Sequence, residues 1–350
     1  MTPILPMMQA DGLPLAQGGW LAAANYFGYL LGALWTIRLN LRPSLAIRAA
    51  LLAIGLATVA MGLVDGFVPW LALRFVAGVA SAWVLVFVSA WTLERLAELQ
   101  RPQLGGVLYA GVGTGVAIAG LACLVVMQLG ASAAAAWVAL GLLAVAMAGV
   151  IWSSFSFESR PSVQTGALSG GWVLIACYGL YGFGYIIPAT FLPAMARQIV
   201  AEPLAFGSAW PVFGAAAALS TLVVSGASAS PRRVWAACMA VMAAGVAAPL
   251  VVPGLTGILL SAFLVGATFV TITLAGMQEA RRLHGAAARP LMAAMTAAFA
   301  VGQLVGPIVI ALVEALPRGF TLAMLAATAC LLAGAAVLYI PVTPAQQKRH

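Results

Sequence analysis

Charge is what this sequence has least of. Only 7% of its 350 residues are Asp, Glu, Lys or Arg, against 64% that are apolar. A soluble domain carries roughly 25% charged residues. No fold in water could cover so much apolar surface, so the bilayer must be the solvent. Asp11, Asp65, Glu202 and Glu314 fall at one set of span ends, and Glu94, Glu98, Glu158 and Glu279 in the loops at the other. No acid is left inside a span as a proton carrier. Paired buried aspartates for proteolysis, and the acidic clusters of metal-dependent phosphate chemistry, are missing as well. The single lysine, Lys348, excludes a phosphate-binding loop ending in Gly-Lys, and with it an ATP-driven pump within the chain. The two histidines, His284 and His350, lie outside the apolar runs, which excludes an intramembrane serine protease. Cys123, Cys177, Cys238 and Cys330 sit inside apolar runs without C-x-x-C spacing, so neither a zinc site nor a redox pair is indicated. The expectation is a protein that is no enzyme and uses no cofactor and no metal.

What the sequence has instead is apolar length. A spanning helix needs about 20 apolar residues. Such runs fall at 17–37, 46–64, 68–93, 104–128 and 133–152, then at 172–199, 206–229, 234–252, 255–277, 290–314 and 320–340. The expected fold is an all-α polytopic membrane protein with eleven full transmembrane helices, preceded by the stub TPILPMMQ of a first helix.

Thirteen of the sixteen basic residues fall on one side of these spans. They are Arg38, Arg42, Arg48, Arg95, Arg101, Arg160, Arg232, Arg233, Arg281, Arg282, Arg289, Lys348 and Arg349. The positive-inside rule makes that side, and the C-terminus, cytoplasmic. The net charge of +8 is thus read as topology, and no nucleic-acid partner is expected. The chain also repeats itself. Pro6 matches Pro193 at an offset of 187, Trp20 matches Trp210 at 190, and Arg101-Pro102 matches Arg289-Pro290 at 188. Two parallel halves are implied: an N-terminal bundle over 1–152, a cytoplasmic linker over 153–171, and a C-terminal bundle over 172–350. On that plan the first span is truncated. Either the true start lies upstream of Met1, or most of that span has been lost.

The stretches TPILPMMQADGLPLAQGGWLAAANYFGYLLGALW, LYAGVGTGVAIAGL and YGFGYIIPATFLPAMAR resemble the major facilitator superfamily, in its bacterial YbfB/YjiJ-type branch. The resemblance covers essentially the whole chain. It implies two pseudo-symmetric helical bundles that rock about a central site. It also implies a bacterial inner-membrane location, a small-molecule substrate and coupling to protons. LALRFVAGVASAW matches the family's fourth-span pattern with Arg74, Phe75 and Gly78. GGVLYAGVGTGVAIAG has the glycines of an exchanger motif but lacks its Gly-Pro pair, which AVGQLVGPIVI supplies as Gly306-Pro307. GALWTIRLNLRPSLAIR keeps the arginines of the usual inner loop and lacks its acid.

Arg74 is the only charge well inside a span, where an arginine costs about 2.5–3.5 kcal/mol by insertion scales. It reads either as a site for an anionic substrate or a proton-linked switch, or as a brace on a neighbouring helix. Tyr178, Tyr181 and Tyr185, at i, i+3 and i+7, share one helix face. Asn25 and Tyr29 share another, and Thr268 pairs with Thr271 and Thr296 with Gln303. Polar faces avoid lipid, so Asn25, Tyr29, Arg74, Tyr109, Tyr181, Tyr185, Thr271 and Gln303 are candidates for substrate contact or coupling. Gly78, Gly111, Gly113, Gly115 and Gly306 are candidates for close helix packing. Pro188, Pro193 and Pro307 are candidates for helix breaks.

These observations point to a secondary transporter of a small organic solute working by alternating access, with proton-coupled antiport or efflux implied by the resemblance. A monomer in the lipid bilayer is expected. The alternative is a non-transporting membrane protein, a sensor, partner subunit or defunct carrier, which the short first span favours. A channel fits less well, because no ring of charge is visible in the spans.

Overall fold

The computed structural model describes residues 4–38, 41–155, 171–199, 209–226, 229–314, 316 and 318–340. Most of the expected linker and the basic tail lie outside the described residues. The chain begins with a six-residue helix, α1 (Leu5–Ala10), and continues as α2 (Leu15–Arg38), α3 (Pro43–Leu63), α4 (Phe67–Glu98), α5 (Gly105–Gln128) and α6 (Ala133–Ile151). After the linker come α7 (Trp172–Ile199), α8 (Ala209–Ser225), α9 (Pro231–Val251), α10 (Gly254–His284), α11 (Arg289–Glu314) and α12 (Gly319–Tyr339).

Helix ends follow local chemistry. Pro43 and Pro231 open α3 and α9 at positions whose N–H has no helical partner. Ser132 caps α6 by accepting from the Ala135 N–H at 3.3 Å. Gly285 closes α10 at φ 57°, a conformation that glycine adopts without strain.

Eight stretches of the described residues are long and apolar enough to cross a membrane: Pro43–Leu63, Phe67–Glu98, Pro102–Gln128, Ala133–Phe155, Trp172–Ala189, Pro231–Val251, Gly254–Ile310 and Gly319–Tyr339. The longest contains α10 and most of α11, joined by the single turn Gly285–Ala288. α8 is apolar but has only 17 residues. α2 has 24 residues yet falls outside this set, because Gln17, Asn25, Tyr26 and Tyr29 dilute its apolar content.

α2 packs on α4 and α11; α3 packs on α4 and α6; α5 packs on α8. α7 packs on α11 and α12; α8 packs on α10; α9 packs on α10 and α12. α7, α10 and α11 are the most enclosed, and α5 and α6 the least. In a membrane, close backbone approach replaces the hydrophobic effect as the driving force for such contacts. The α5–α8 crossing shows this: a Cβ on Gly113 would lie 2.7 Å from the Gly214 carbonyl oxygen, and a Cβ on Gly214 would lie 2.7 Å from that of Gly113. Gly111 and Gly115, on the opposite face of α5, meet nothing within 4 Å among the described residues.

Two arginines tie helix ends together. Arg48 of α3 donates from Nε and Nη2 to the Trp152 carbonyl, at 3.1 and 2.9 Å. Arg232 of α9 donates to the Leu338 carbonyl at 2.8 Å and to Val337 at 3.2 Å. Each supplies donors to carbonyls that a helix C-terminus leaves unpaired.

Candidate functional site

Six of the seven tyrosines meet in one buried cluster. Tyr178, Tyr181 and Tyr185 of α7 and Tyr109 of α5 belong to it, and Tyr26 and Tyr29 of α2 pack against it. The seventh, Tyr339, is exposed at the end of α12. At 1.5 Å per residue, Tyr181 lies about 14 Å from the start of α7 and Tyr26 about 17 Å from the start of α2. Both are near the middle of a hydrocarbon core of roughly 30 Å.

The i, i+3, i+7 spacing does put the three α7 phenols on one face, and that face meets aromatic rings from three other helices. Tyr185 stacks on Phe269 of α10 at 4.2 Å between centroids. Tyr181 lies 4.9 Å from Phe299 of α11, and Tyr185 lies 6.3 Å from Phe213 of α8. Tyr181 donates from its hydroxyl to the Phe269 carbonyl at 2.8 Å and lies 3.3 Å from Thr273 Oγ1. Tyr109 OH and Ser89 Oγ of α4 are 2.6 Å apart. Buried hydroxyls need such partners, since an unpaired one costs about 1–3 kcal/mol. Tyr26, Phe213, Phe269 and Phe299 complete the cluster without belonging to the candidate set. Only Tyr26 carried a signal, sharing a helix face with Tyr29 at i, i+3.

The remaining candidates divide. Thr271 Oγ1 lies 3.0 Å from Ser220 Oγ of α8 and donates to its own helix at Ala267. Gln303 is buried on α11 and makes no hydrogen bond to another described residue. Asn25 is turned to the backbone: its Nδ2 donates to the Arg74 carbonyl at 3.0 Å, bracing α2 on α4. Gly78 lies at the same crossing, where a Cβ would fall on the Asn25 carbonyl oxygen. A Cβ on Gly306 would fall on the Ile186 side chain. Pro188 lies inside α7 and Pro307 inside α11, and both helices continue past them. The backbone of α7 also runs through Pro193, whose side chain lies outside the described residues.

Arg74 is nine-tenths buried. Its guanidinium lies 5.6 Å from the centroid of the Trp137 ring of α6, and its Nε is sealed from solvent without a hydrogen-bond partner. Trp137 donates its indole N–H to Met8 Sδ at 3.4 Å. Arg74 therefore borders an apolar cluster formed by Met8, Leu21, Met61, Cys123 and Trp137.

One acid differs from its sequence reading. Glu279 was expected in an inner loop, but α10 extends through it to His284. There it is fully buried, accepting hydrogen bonds from Arg282 Nε and Nη2, each at 2.7 Å. The apolar run stops before Glu279 while the helix does not, because hydropathy marks where lipid ends and not where helical hydrogen bonds end. Nearby, Arg289 of α11 lies 5.5 Å over the Phe87 ring of α4. No group of three or more His, Cys, Asp or Glu side chains that could hold a metal comes together among the described residues.

Among solved structures, the human organic anion transporter MFSD10 (TETRAN) is similar, with a TM-score of 0.69 at 14% sequence identity. The alignment covers 96% of this chain and 86% of that one. At that identity the likeness establishes the fold. No curated protein matches the sequence. The family model described as an uncharacterised MFS-type transporter, YbfB, matches residues 1–339. With its apolar helices and transporter fold, the chain belongs to this membrane-spanning transporter family of the major facilitator superfamily.

Proposed function

We propose that the protein is a secondary active carrier of a small organic solute, working by alternating access around the tyrosine cluster. The single observation that carries this reading is the cluster itself. Tyrosines from α2, α5 and α7 and phenylalanines from α8, α10 and α11 come together in one buried cluster. Hydroxyls and ring faces offer hydrogen bonds and apolar contact together, which suits an organic solute leaving water.

The helix pairings support two six-element halves with eleven full spans in all. α2–α4, α3–α4 and α3–α6 correspond to α8–α10, α9–α10 and α9–α12 at a shift of six elements. Arg48 and Arg232 play the same part at the α3–α6 and α9–α12 pairs. The contacts α2–α11 and α5–α8 then join the halves. Arg289 against Phe87, and the contacts of α4 with α10 and α11, also join the halves. The basic loops support a bacterial inner-membrane topology with a cytoplasmic C-terminus. The carrier acts as a monomer. Proton coupling is supported by the family alone, and the buried Glu279 is the acid to examine for it.

The test is counterflow in proteoliposomes. Purified protein should accelerate exchange of at least one labelled solute from a panel of organic acids, amines and neutral aromatics. Replacing Tyr185 by Ala should abolish that exchange while the protein still inserts and purifies as a monomer. No exchange above protein-free vesicles across the panel, or full exchange by the Tyr185 variant, overturns the reading.

A further inference from the structure

We propose that Arg74 is a binding site for an organic monocarboxylate with an apolar or aromatic body. This names the substrate class of the carrier proposed above and rests on that reading for transport, while binding is tested separately.

The argument begins with charge. Arg74 is nine-tenths buried, and no described carboxylate lies within 4 Å of it. Glu279 is engaged by Arg282, and Asp11 is exposed and accepts from the Ala133 N–H at 3.0 Å. A guanidinium carries five N–H donors in a fixed plane. In Arg74 none of them makes a hydrogen bond to a described residue, and Nε is shut off from water. The indole ring of Trp137 offsets part of this cost through its face, but it accepts no hydrogen bond. A buried charge needs both a counter-charge and hydrogen bonds. The described residues supply neither, and a bound carboxylate would supply both.

The surroundings restrict the anion. One cation in an apolar cluster is neutralised by a single negative charge; a dianion would leave a net charge among Met8, Leu21 and Trp137. The planar fork of arginine matches a carboxylate with two parallel hydrogen bonds. Trp137, Met8 and Leu71 give an apolar wall. Tyr26 lies within electrostatic reach of Arg74, and its hydroxyl makes no hydrogen bond to another described residue. Tyr26 also packs against the tyrosine cluster, so an anion held here is adjacent to the central site.

The experiment uses the full chain purified in detergent and follows its melting midpoint. The probes are sodium benzoate, benzamide as its neutral analogue, and sodium chloride at equal ionic strength. Benzoate should raise the midpoint in a saturable way, and benzamide and chloride should not. Arg74→Gln should weaken half-saturation roughly tenfold to hundredfold, the loss expected for hydrogen bonds to a charged group. Arg74→Lys, which keeps the charge and loses the fork, should retain a weaker response. If Arg74→Gln does not fold, the benzoate–benzamide contrast and the Lys variant decide. Equal shifts from benzoate and benzamide, an equal shift from chloride, a wild-type response in Arg74→Gln, or no wild-type response overturns the proposal. So does an anionic lipid that copurifies with the wild type, is lost in Arg74→Gln, and blocks any benzoate effect. Benzoate binding through Arg74 without counterflow of any solute would refute the carrier and leave the site standing. Counterflow of a neutral solute without benzoate binding would do the reverse.

Discussion

The two faces of α5 make an internally controlled test of how the helices are held. Gly113 faces α8, and Gly115, two residues on, faces open space. A methyl group at 113 would sit 2.7 Å from the Gly214 carbonyl oxygen and 2.9 Å from the Ala217 carbonyl carbon, and closer still to the Ala218 nitrogen. Ordinary contact begins at 3.4 Å. All three obstacles are backbone atoms, which cannot rotate aside, so α5 and α8 must part. Opening a seam by about 0.5–1 Å forfeits a quarter to a half of each dispersion contact along it, and overpacking of this kind costs about 1–3 kcal/mol. Glycine to alanine within a helix also gains about 0.8–1 kcal/mol of propensity, and this gain is common to both positions. Gly113→Ala should therefore be less stable than Gly115→Ala by about 1–3 kcal/mol, with Gly115→Ala at or above the wild type. Because Gly214 meets Gly113 reciprocally, Gly113→Ala combined with Gly214→Ala should cost less than the sum of the single changes. The assay is the melting midpoint and detergent-induced unfolding of each purified variant. Equal stability of the 113 and 115 variants, or strict additivity of 113 with 214, would refute the close α5–α8 seam.

Other expectations follow from single contacts. Arg282→Ala leaves the Glu279 carboxylate buried without its bidentate partner; it should destabilise by about 1–3 kcal/mol, and adding Glu279→Gln should restore part of the loss in the same unfolding assay. Tyr181→Phe removes the donor to the Phe269 carbonyl and should cost about 0.5–1.5 kcal/mol while keeping the ring contacts; unchanged stability would show that this hydrogen bond is not formed. Arg48→Ala and Arg232→Ala each uncap a helix C-terminus and should cost similar amounts, about 1 kcal/mol each. Faster hydrogen exchange at the end of α6 in the first variant and of α12 in the second would confirm it, and a clear inequality between them would contradict equivalent roles.

The helices were legible from composition because the bilayer acts on each segment separately. Every backbone group in hydrocarbon must be paired within its own helix, so a long apolar run fixes a helix whatever its neighbours are. The α7 tyrosine face was legible for the same reason, since i, i+3 and i+7 share a face in any helix. Gly111, Gly113 and Gly115 show where this stops. Helical periodicity separates 113 from 111 and 115, but nothing in the local sequence says which face another helix will cover.

Composition and apolar run length are enough to establish a helical membrane protein, and the basic loops and matched positions carry the expectations of sidedness and of an internal repeat. The tertiary structure alone decided that Phe269 and Phe299 meet the α7 tyrosines, that Asn25 braces α4, and that Glu279 is buried against Arg282. It also set Trp137 beside Arg74. Those pairings join residues distant along the chain. In lipid they depend on shape and hydrogen bonding between helices, and not on the apolar content that makes each helix readable alone.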